Sequence, residues 1–152
     1  RPDTNSLYQT DTLGLLERFD SGQFTLAYVD PPWATAEDSE TKLRDYRTFI
    51  SRLVQQCWRV LNDKGTLYFH APPVSHTDYR LILNQTFGRP PSSVIVWKYK
   101  SYMHARGGTS PGHEEILRYV KTPQAVFNMV RTPPSSSHFQ FTDDCGPYRL
   151  VV

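Results

Sequence analysis

The chain has 152 residues, of which 38% are hydrophobic and 21% are charged, and its formal net charge is +2. This length and apolar fraction predict one globular domain with a single core and argue against a disordered chain. Because the two cysteines, Cys57 and Cys145, are far apart and no apolar run could cross a bilayer, we expect a reducing, cytoplasmic protein with no metal and no membrane partner.

The first predicted elements are a short helix and a strand. Residues 10–19 carry apolar side chains at helical spacing, and either Thr10 or Asp11 can cap the first turn. The apolar run Phe24–Val29 follows, rich in aromatic and β-branched side chains. Such a run is typical of a strand buried on both faces of a parallel sheet.

The strand ends on the tetrapeptide Asp30, Pro31, Pro32, Trp33. Open α/β sheets bind ligands at the carboxyl ends of their strands, and the two prolines make this turn stiff. The Asp30 carboxylate and the Pro31 carbonyl oxygen could accept both N–H groups of an exocyclic amine, while Trp33 stacks on a flipped-out base. Alternatively, Asp30 caps a backbone group and Trp33 packs in the core.

The next stretch predicts a loop and then a long helix. Residues 34–44 are polar and lack periodicity, which indicates a loop over the site. Apolar residues recur at helical spacing over residues 46–61, with Asp45 as N-cap. We expect Gly65 to close this helix in a C-terminal cap.

A second strand is predicted over residues 65–70, ending on His70. Strand, helix and strand of these lengths form a parallel βαβ unit, so His70 should lie at the same sheet edge as Asp30. His70 is either a site residue or a hydrogen-bonded structural group.

Three further elements complete the pattern. Apolar residues from Tyr79 to Phe87 predict a third helix, which Gly88 ends. Residues 93–100 and 113–121 predict two strands, and the segment between them is too short for a crossover helix. We therefore expect these strands to pair antiparallel.

Positive charge is concentrated in the second half of the chain. Between Tyr79 and Gln140 there are eight Lys or Arg residues and two acids. This asymmetry favours a polyanion partner. Scattered, solvated charges on a basic surface are the alternative.

Asp-Pro-Pro-Trp together with this order of elements resembles the β-group, permuted DNA amino-methyltransferases, including type III modification subunits. Their targets are adenine N6 or cytosine N4, and an acid in first place favours adenine. The resemblance implies an α/β fold: a partial Rossmann-like methyltransferase sheet of parallel strands with an antiparallel edge hairpin and helices on both faces. Residues 1–122 resemble the catalytic part, and residues 123–152 the start of a target-recognition region or a flexible tail.

The resemblance also implies roles for individual residues. The catalytic tetrapeptide would be Asp30, Pro31, Pro32 and Trp33, and the cofactor would be S-adenosyl-L-methionine. Its contacts would come from Asp11, from Asp30 and from a lysine. Either Lys98 or Lys100 could be that lysine, and the sequence does not distinguish between them. Three residues of the hairpin loop would face the target base or the backbone of double-stranded DNA: Tyr102, His104 and Arg106.

One part of the family pattern is absent from this sequence. No Phe-x-Gly-x-Gly-like segment is present, and Gly107 and Gly108 lie between two strands rather than between a strand and a helix. We therefore expect this chain to be the catalytic half of a longer protein, with a missing half or a second chain completing the sheet. We also expect no strong cofactor binding by this chain alone.

The sequence thus favours methyl transfer from S-adenosyl-L-methionine to the exocyclic amine of a flipped base, most of all adenine N6 in DNA. Two alternatives remain open. One is a non-catalytic nucleic-acid-binding subunit or an inactive fragment of a methyltransferase complex. The other is an RNA adenine methyltransferase, since such enzymes carry the same tetrapeptide.

Overall fold

The structure is a computed structural model that describes residues 2–3, 5–32, 40–71, 76–99, 112–128, 131–132, 141–143 and 146–150. The described helices are α1 (Thr12–Leu16), α2 (Glu40–Val60) and α3 (His76–Phe87). The described strands are β1 (Phe24–Val29), β2 (Leu61–Ala71), β3 (Ser93–Lys98), β4 (His113–Val120), β5 (Arg131–Thr132), β6 (Phe141–Asp143) and β7 (Gly146–Leu150).

Four strands form the main sheet in the order β1-β2-β4-β3. Strands β1 and β2 are parallel, and β4 runs antiparallel to both β2 and β3. Strands β1, β2 and β3 therefore share one direction, and their carboxyl ends lie at one edge of the sheet. The predicted α/β class is confirmed, with parallel strands and an antiparallel hairpin at one side.

One face of the sheet is covered by helices. Alternate residues of β2 point into a core with side chains of α2 and α3, since successive side chains of a strand face opposite sides. The core from these three elements comprises Ile50, Leu53, Val54, Cys57, Leu61, Leu67, Phe69, Ala71, Tyr79, Leu83 and Phe87. Leu13 and Leu16 of α1 pack against the same cluster. All three described helices thus lie on one face, whereas the sequence led us to expect helices on both.

Helix α2 is longer than predicted. It begins at Glu40, so residues 40–44 are helical rather than loop, and Asp45 lies inside the helix instead of capping it. Apart from Leu43, residues 40–45 are polar and none of them belongs to the core cluster, so the sequence there shows no clear apolar period. Residues 34–39 of the predicted loop lie outside the described residues.

The predicted glycine cap of α2 is wrong. The helix ends at Val60 and β2 begins at once with Leu61, four residues earlier than predicted. The register between β1 and β2 shifts at this point: Phe24 pairs with Leu61, whereas Leu26, two residues later, pairs with Thr66. A Cβ at Gly65 would stand 2.8 Å from the Asn62 carbonyl oxygen, so a close backbone approach requires glycine here.

Strand β1 is buried on one face only, so its predicted double burial is wrong for the described residues. Leu26 and Tyr28 are 60% and 55% exposed on the side away from the helices. Within the described residues β1 also forms one end of the sheet. No described strand pairs with its outer edge, and completion of the sheet by another segment stays a prediction.

The last part of the chain contains three short strands. They form a separate small sheet in the order β5-β7-β6, with both pairings antiparallel. Strands β6 and β7 form a hairpin within residues 123–152. Assignment of residues 123–152 to target recognition stays a prediction.

Candidate functional site

Asp30 lies directly after β1, at the sheet edge where the carboxyl ends of β1, β2 and β3 meet. Its carboxylate is 56% exposed. Pro31 is buried and Pro32 is exposed, so the turn is anchored on one side and open on the other. Trp33, the fourth residue of the motif, lies outside the described residues.

A cavity of about 470 Å³ runs along β1 between the strand and helices α1 and α2. Asp30, Pro31 and Pro32 lie among its lining residues, and most of the remaining wall is apolar. Small-molecule sites typically have volumes of about 300–1,000 Å³, mostly apolar walls and a few polar groups. This cavity therefore has the size and character of a small-molecule site with one carboxylate in its wall.

His70, at the carboxyl end of β2, connects two carboxylates. Its Nδ1 lies 3.5 Å from Asp30 Oδ1, and its Nε2 lies 2.6 Å from Glu114 Oε2. The His70 side chain is only 5% exposed, against 56% for Asp30 and 18% for Glu114. The structure thus brings His70 together with Asp30, as the parallel βαβ prediction implied, and adds an acid from β4.

Tyr28 belongs to the same cluster because it lies two residues before Asp30, on the same face of β1. Its hydroxyl lies 3.2 Å from His70 Nδ1. Burial raises the pKa of Tyr28, and the charges of Asp30 and Glu114 raise that pKa further. The hydroxyl therefore remains protonated at neutral pH and serves as a hydrogen-bonding group.

The sequence alone missed three members of this cluster: Tyr28, Glu114 and Trp97. The Trp97 ring lies 5.6 Å from the His70 ring, centroid to centroid, and is half exposed. Tyr28 could have been found from the two-residue period of β1. Glu114 depends on the register of β2 with β4, in which His70 pairs with Ile116, and no sequence signal fixes that register.

Asp11 is confirmed as the N-cap of α1. Its Oδ2 accepts a hydrogen bond of 2.6 Å from the Gly14 N–H. The neighbouring Thr12 lines the cavity, which leaves Asp11 close to it. A contact from Asp11 to a cofactor stays a prediction.

Lys98 lies at the carboxyl end of β3, exposed, with its Cα paired to that of His113. It shares the sheet edge with Asp30 but is three strands away, roughly 14 Å at the usual strand spacing. It does not line the cavity along β1. Four other predicted site residues lie outside the described residues: Lys100, Tyr102, His104 and Arg106.

Several cations of the second half are engaged within the protein. Arg80 pairs with Glu115 at 2.8 Å, and Lys121 Nζ donates to the Trp58 carbonyl oxygen at 2.9 Å. The Arg118 guanidinium lies 5.2 Å from the centre of the Phe127 ring. These three cations are therefore held by partners within the protein and are less available to a polyanion than a count of charges suggests.

The described residues contain neither a membrane-spanning helix nor a metal-binding cluster. No helix there is long and apolar enough to cross a membrane. Nor does that part of the chain contain a group of three or more His, Cys, Asp or Glu side chains placed to hold a metal ion.

Comparison with protein families gives a match over most of the chain. Residues 24–144 match the N6/N4 methyltransferase family, described as DNA methylase. The matched range starts with β1 and includes the Asp30 turn, His70 and Glu114.

Two curated relatives show the same affiliation. The type II methyltransferase M.HpaI of Haemophilus parainfluenzae is 27% identical over 128 residues, which are 80% of this chain and 41% of that protein. The type II methyltransferase M.BglII of Bacillus subtilis is 25% identical over 141 residues, 85% of this chain and 39% of that protein. This chain thus spans about two fifths of the length of these relatives.

Solved structures share the fold. The cytosine-N4-specific PvuII DNA methyltransferase superposes with a TM-score of 0.61 at 14% identity, covering 78% of this chain and 49% of that one. A Thermus thermophilus protein described as a DNA modification methylase, in complex with S-adenosyl-L-methionine, gives a TM-score of 0.57 at 20% identity, covering 82% of this chain and 56% of that one.

Proposed function

We infer the function from one premise: this chain belongs to the DNA methylase family of amino-group methyltransferases. We propose that it carries the catalytic part of an enzyme that methylates the exocyclic amine of a base in DNA, with adenine N6 as the target. The observation that carries this proposal is the position of Asp30, which directly follows β1 at the ligand-binding edge of the sheet and lines a mostly apolar cavity.

The proposed chemistry uses the groups of the Asp30 turn. The Asp30 carboxylate and the Pro31 carbonyl oxygen accept the two N–H groups of the amine and turn its lone pair toward the methyl donor. Pro32 stiffens the turn, and Trp33 stacks on the flipped base. Catalysis on this account is positioning and electrostatic complementarity, with no covalent enzyme intermediate.

We propose S-adenosyl-L-methionine as the donor. When bound, it would supply a methyl group on a positively charged sulfur: the N–C bond forms as the S–C bond breaks, the sulfur keeps the electron pair as a neutral thioether, and the amine gives up one proton to solvent. The residues along β1 fit such a molecule, because the cavity holds about 470 Å³ and places one carboxylate in a largely apolar wall. Asp11 is a proposed second contact, since it is the chain neighbour of Thr12, which lines the cavity. Lys98 or Lys100 is the proposed partner of the donor's carboxylate.

The open edge of β1 supports a further part of the proposal. Leu26 and Tyr28 are exposed, and within the described residues β1 has a neighbour on one side only. Proteins usually cover an apolar strand edge, because its unpaired N–H and C=O groups can pair with other chains. We propose that a parallel strand from a segment outside this chain, or from a second chain, pairs with β1 and closes the cavity.

The choice of adenine comes from the acid at position 30. A neighbour in fold is cytosine-N4-specific, but at 14% identity that likeness concerns the fold alone. We also propose that residues 123–152 begin the target-recognition region and that Tyr102, His104 and Arg106 contact the DNA.

The test uses the protein encoded by the complete reading frame in which this sequence lies. It is incubated with methyl-labelled S-adenosyl-L-methionine and unmethylated double-stranded DNA or RNA, and the modified nucleosides are identified by mass spectrometry. We expect N6-methyladenine in DNA, and a fall of about 10²–10³-fold in Asp30→Ala. The matched control is Asp63→Ala, which removes an exposed carboxylate near the start of β2 and should change nothing.

Other outcomes decide against parts of the proposal. Label on cytosine N4 would overturn the choice of adenine, and label on RNA alone would favour the RNA enzyme. Tight DNA binding without any label would favour the non-catalytic subunit.

A further inference from the structure

An imidazole buried between two carboxylates stands beside the proposed catalytic acid. His70 Nε2 lies 2.6 Å from Glu114 Oε2, a short and well-formed contact, and Nδ1 lies 3.5 Å from Asp30 Oδ1. The imidazole is 5% exposed, whereas the Asp30 carboxylate is 56% exposed. The buried imidazole therefore has little conformational freedom, whereas the more exposed Asp30 carboxylate depends on a partner to restrict its rotamer.

Among the described residues, Glu114, Trp97 and Tyr28 lie around the His70 ring. Glu114 fixes Nε2, and the Trp97 ring packs against the imidazole with centroids 5.6 Å apart and planes inclined by 34°. The Tyr28 hydroxyl lies 3.2 Å from Nδ1, on the side that also faces Asp30. Because the short Glu114 contact and the Trp97 ring act on different atoms, rotation of the imidazole would break both.

Which partner Nδ1 bonds depends on whether that nitrogen carries a proton. The carboxylate oxygens of Asp30 and Glu114 are acceptors when ionised, so each contact needs an N–H on the facing nitrogen. A ring held by Glu114 through Nε2 presents Nδ1 to Asp30 Oδ1 and leaves the second oxygen of Asp30 unopposed by the imidazole. The Tyr28 hydroxyl competes for Nδ1 when that nitrogen carries no proton.

We propose that His70 is a positioning residue for methyl transfer: clamped by Glu114, it holds Oδ1 of Asp30 through Nδ1–H, so that Oδ2 faces the substrate amine. The inference rests on the proposed function. A carboxylate on an exposed turn samples several rotamers, and misplacement of a reacting group by about 1 Å can cost about 10²-fold in rate. Holding one oxygen restricts the other to the direction of the amine.

Two substitutions separate positioning from structural support. His70→Asn keeps an amide N–H near the place of Nδ1 and gives up Glu114, whereas His70→Gln keeps an amide N–H near Nε2 and gives up Asp30. If His70 positions Asp30, kcat falls less than about tenfold in His70→Asn and about 10²-fold in His70→Gln, with KM for DNA unchanged in both. A purely structural role predicts the reverse order, because only Gln still pairs with the more buried Glu114. The reverse order, or equal losses, would overturn the proposal.

A second measurement does not depend on activity. Imidazole ¹H–¹⁵N spectra of the parent protein should show hydrogen-bonded protons on both His70 nitrogens. Asp30→Ala should remove the Nδ1–H signal alone, because Tyr28 then donates its hydroxyl proton to an unprotonated Nδ1. The control is Tyr119→Phe, which removes a hydroxyl bonded to Asn84 at 2.7 Å on the helix-covered face. An Nδ1 signal that survives Asp30→Ala would overturn the proposed contact. If the parent methylates nothing, the proposed function fails, and these spectra still decide whether His70 holds Asp30.

Discussion

The two faces of the main sheet differ in what their side chains do. On the helix-covered face, Leu67, Phe69 and Ala71 of β2 are completely buried in one apolar core. On the opposite face, the intervening His70 of the same strand joins Asp30 and Glu114 in a polar cluster. Because a strand alternates its side chains between faces, one stretch of sequence serves both stability and the proposed chemistry.

The contrast extends to the neighbouring strands. Glu114 and Glu115 are adjacent in β4, yet Glu114 faces His70 and Glu115 pairs with Arg80 of α3 on the helix side. The lesson is that each face can be altered by choosing odd or even positions along one strand. Substitutions on the helix-covered face should act on stability, and those on the open face should act on catalysis.

The largest expected difference in stability is between two matched substitutions, one on each face of the sheet. Leu67→Ala empties a site that is 0% exposed and should lower the free energy of unfolding by about 2–5 kcal/mol. Leu26→Ala, at a residue 60% exposed on the other face, should cost less than about 1 kcal/mol. Urea unfolding followed by circular dichroism measures both. Equal losses would show that the open face also belongs to the stabilising core.

A pH titration sharpens the view of the helix-covered face. Burial raises the pKa of the Cys57 thiol from 9.0 to about 11. The thiol of the unfolded chain ionises at the lower pKa of 9.0, whereas the buried thiol stays neutral up to about pH 11. The stability that the neutral Cys57 thiol contributes is therefore fully present below pH 9 and is lost as the pH rises through 11. Two pH units amount to about 2–3 kcal/mol. Unfolding free energies between about pH 7 and pH 11.5 should therefore fall more steeply in the parent than in Cys57→Ala, and parallel curves would contradict the burial of this thiol.

The smallest expected effect concerns the open face. The Arg118 guanidinium lies over the Phe127 ring, which is 57% exposed. Phe127→Leu keeps most of the apolar surface but removes the cation–π contact, so the unfolding free energy should fall by only about 0.5–1 kcal/mol. The same urea unfolding measures it. A loss as large as that of Leu67→Ala would mean that Phe127 belongs to a second apolar core on this face.

Much of this architecture follows from the sequence. The motif after β1, the parallel βαβ unit and the antiparallel pair of β3 and β4 were all visible in apolar periods and segment lengths. The N-cap at Asp11 was one of two residues expected there, since short polar side chains often cap helices. These features are local, and local propensity determines them.

The features that sequence reasoning missed depend on tertiary contacts. The polar start of α2 carries no apolar period, so the true beginning at Glu40 could not be found. Glycine is required at position 65 because the backbone of Asn62 comes too close for a Cβ. This reason differs from the left-handed C-terminal cap that a glycine after a helix usually indicates. The pairing of His70 with Glu114 needs the register of two strands that are 44 residues apart at this point.

Single-turnover kinetics show most directly whether the Asp30 carboxylate positions the substrate amine. The complete protein and its Asp30→Asn variant, which keeps the size of the side chain, are each saturated with labelled S-adenosyl-L-methionine and mixed with DNA, the enzyme being in excess. We expect a methyl-transfer rate about 10²–10³-fold lower in Asp30→Asn, with DNA affinity unchanged. Equal single-turnover rates in the two proteins would contradict it.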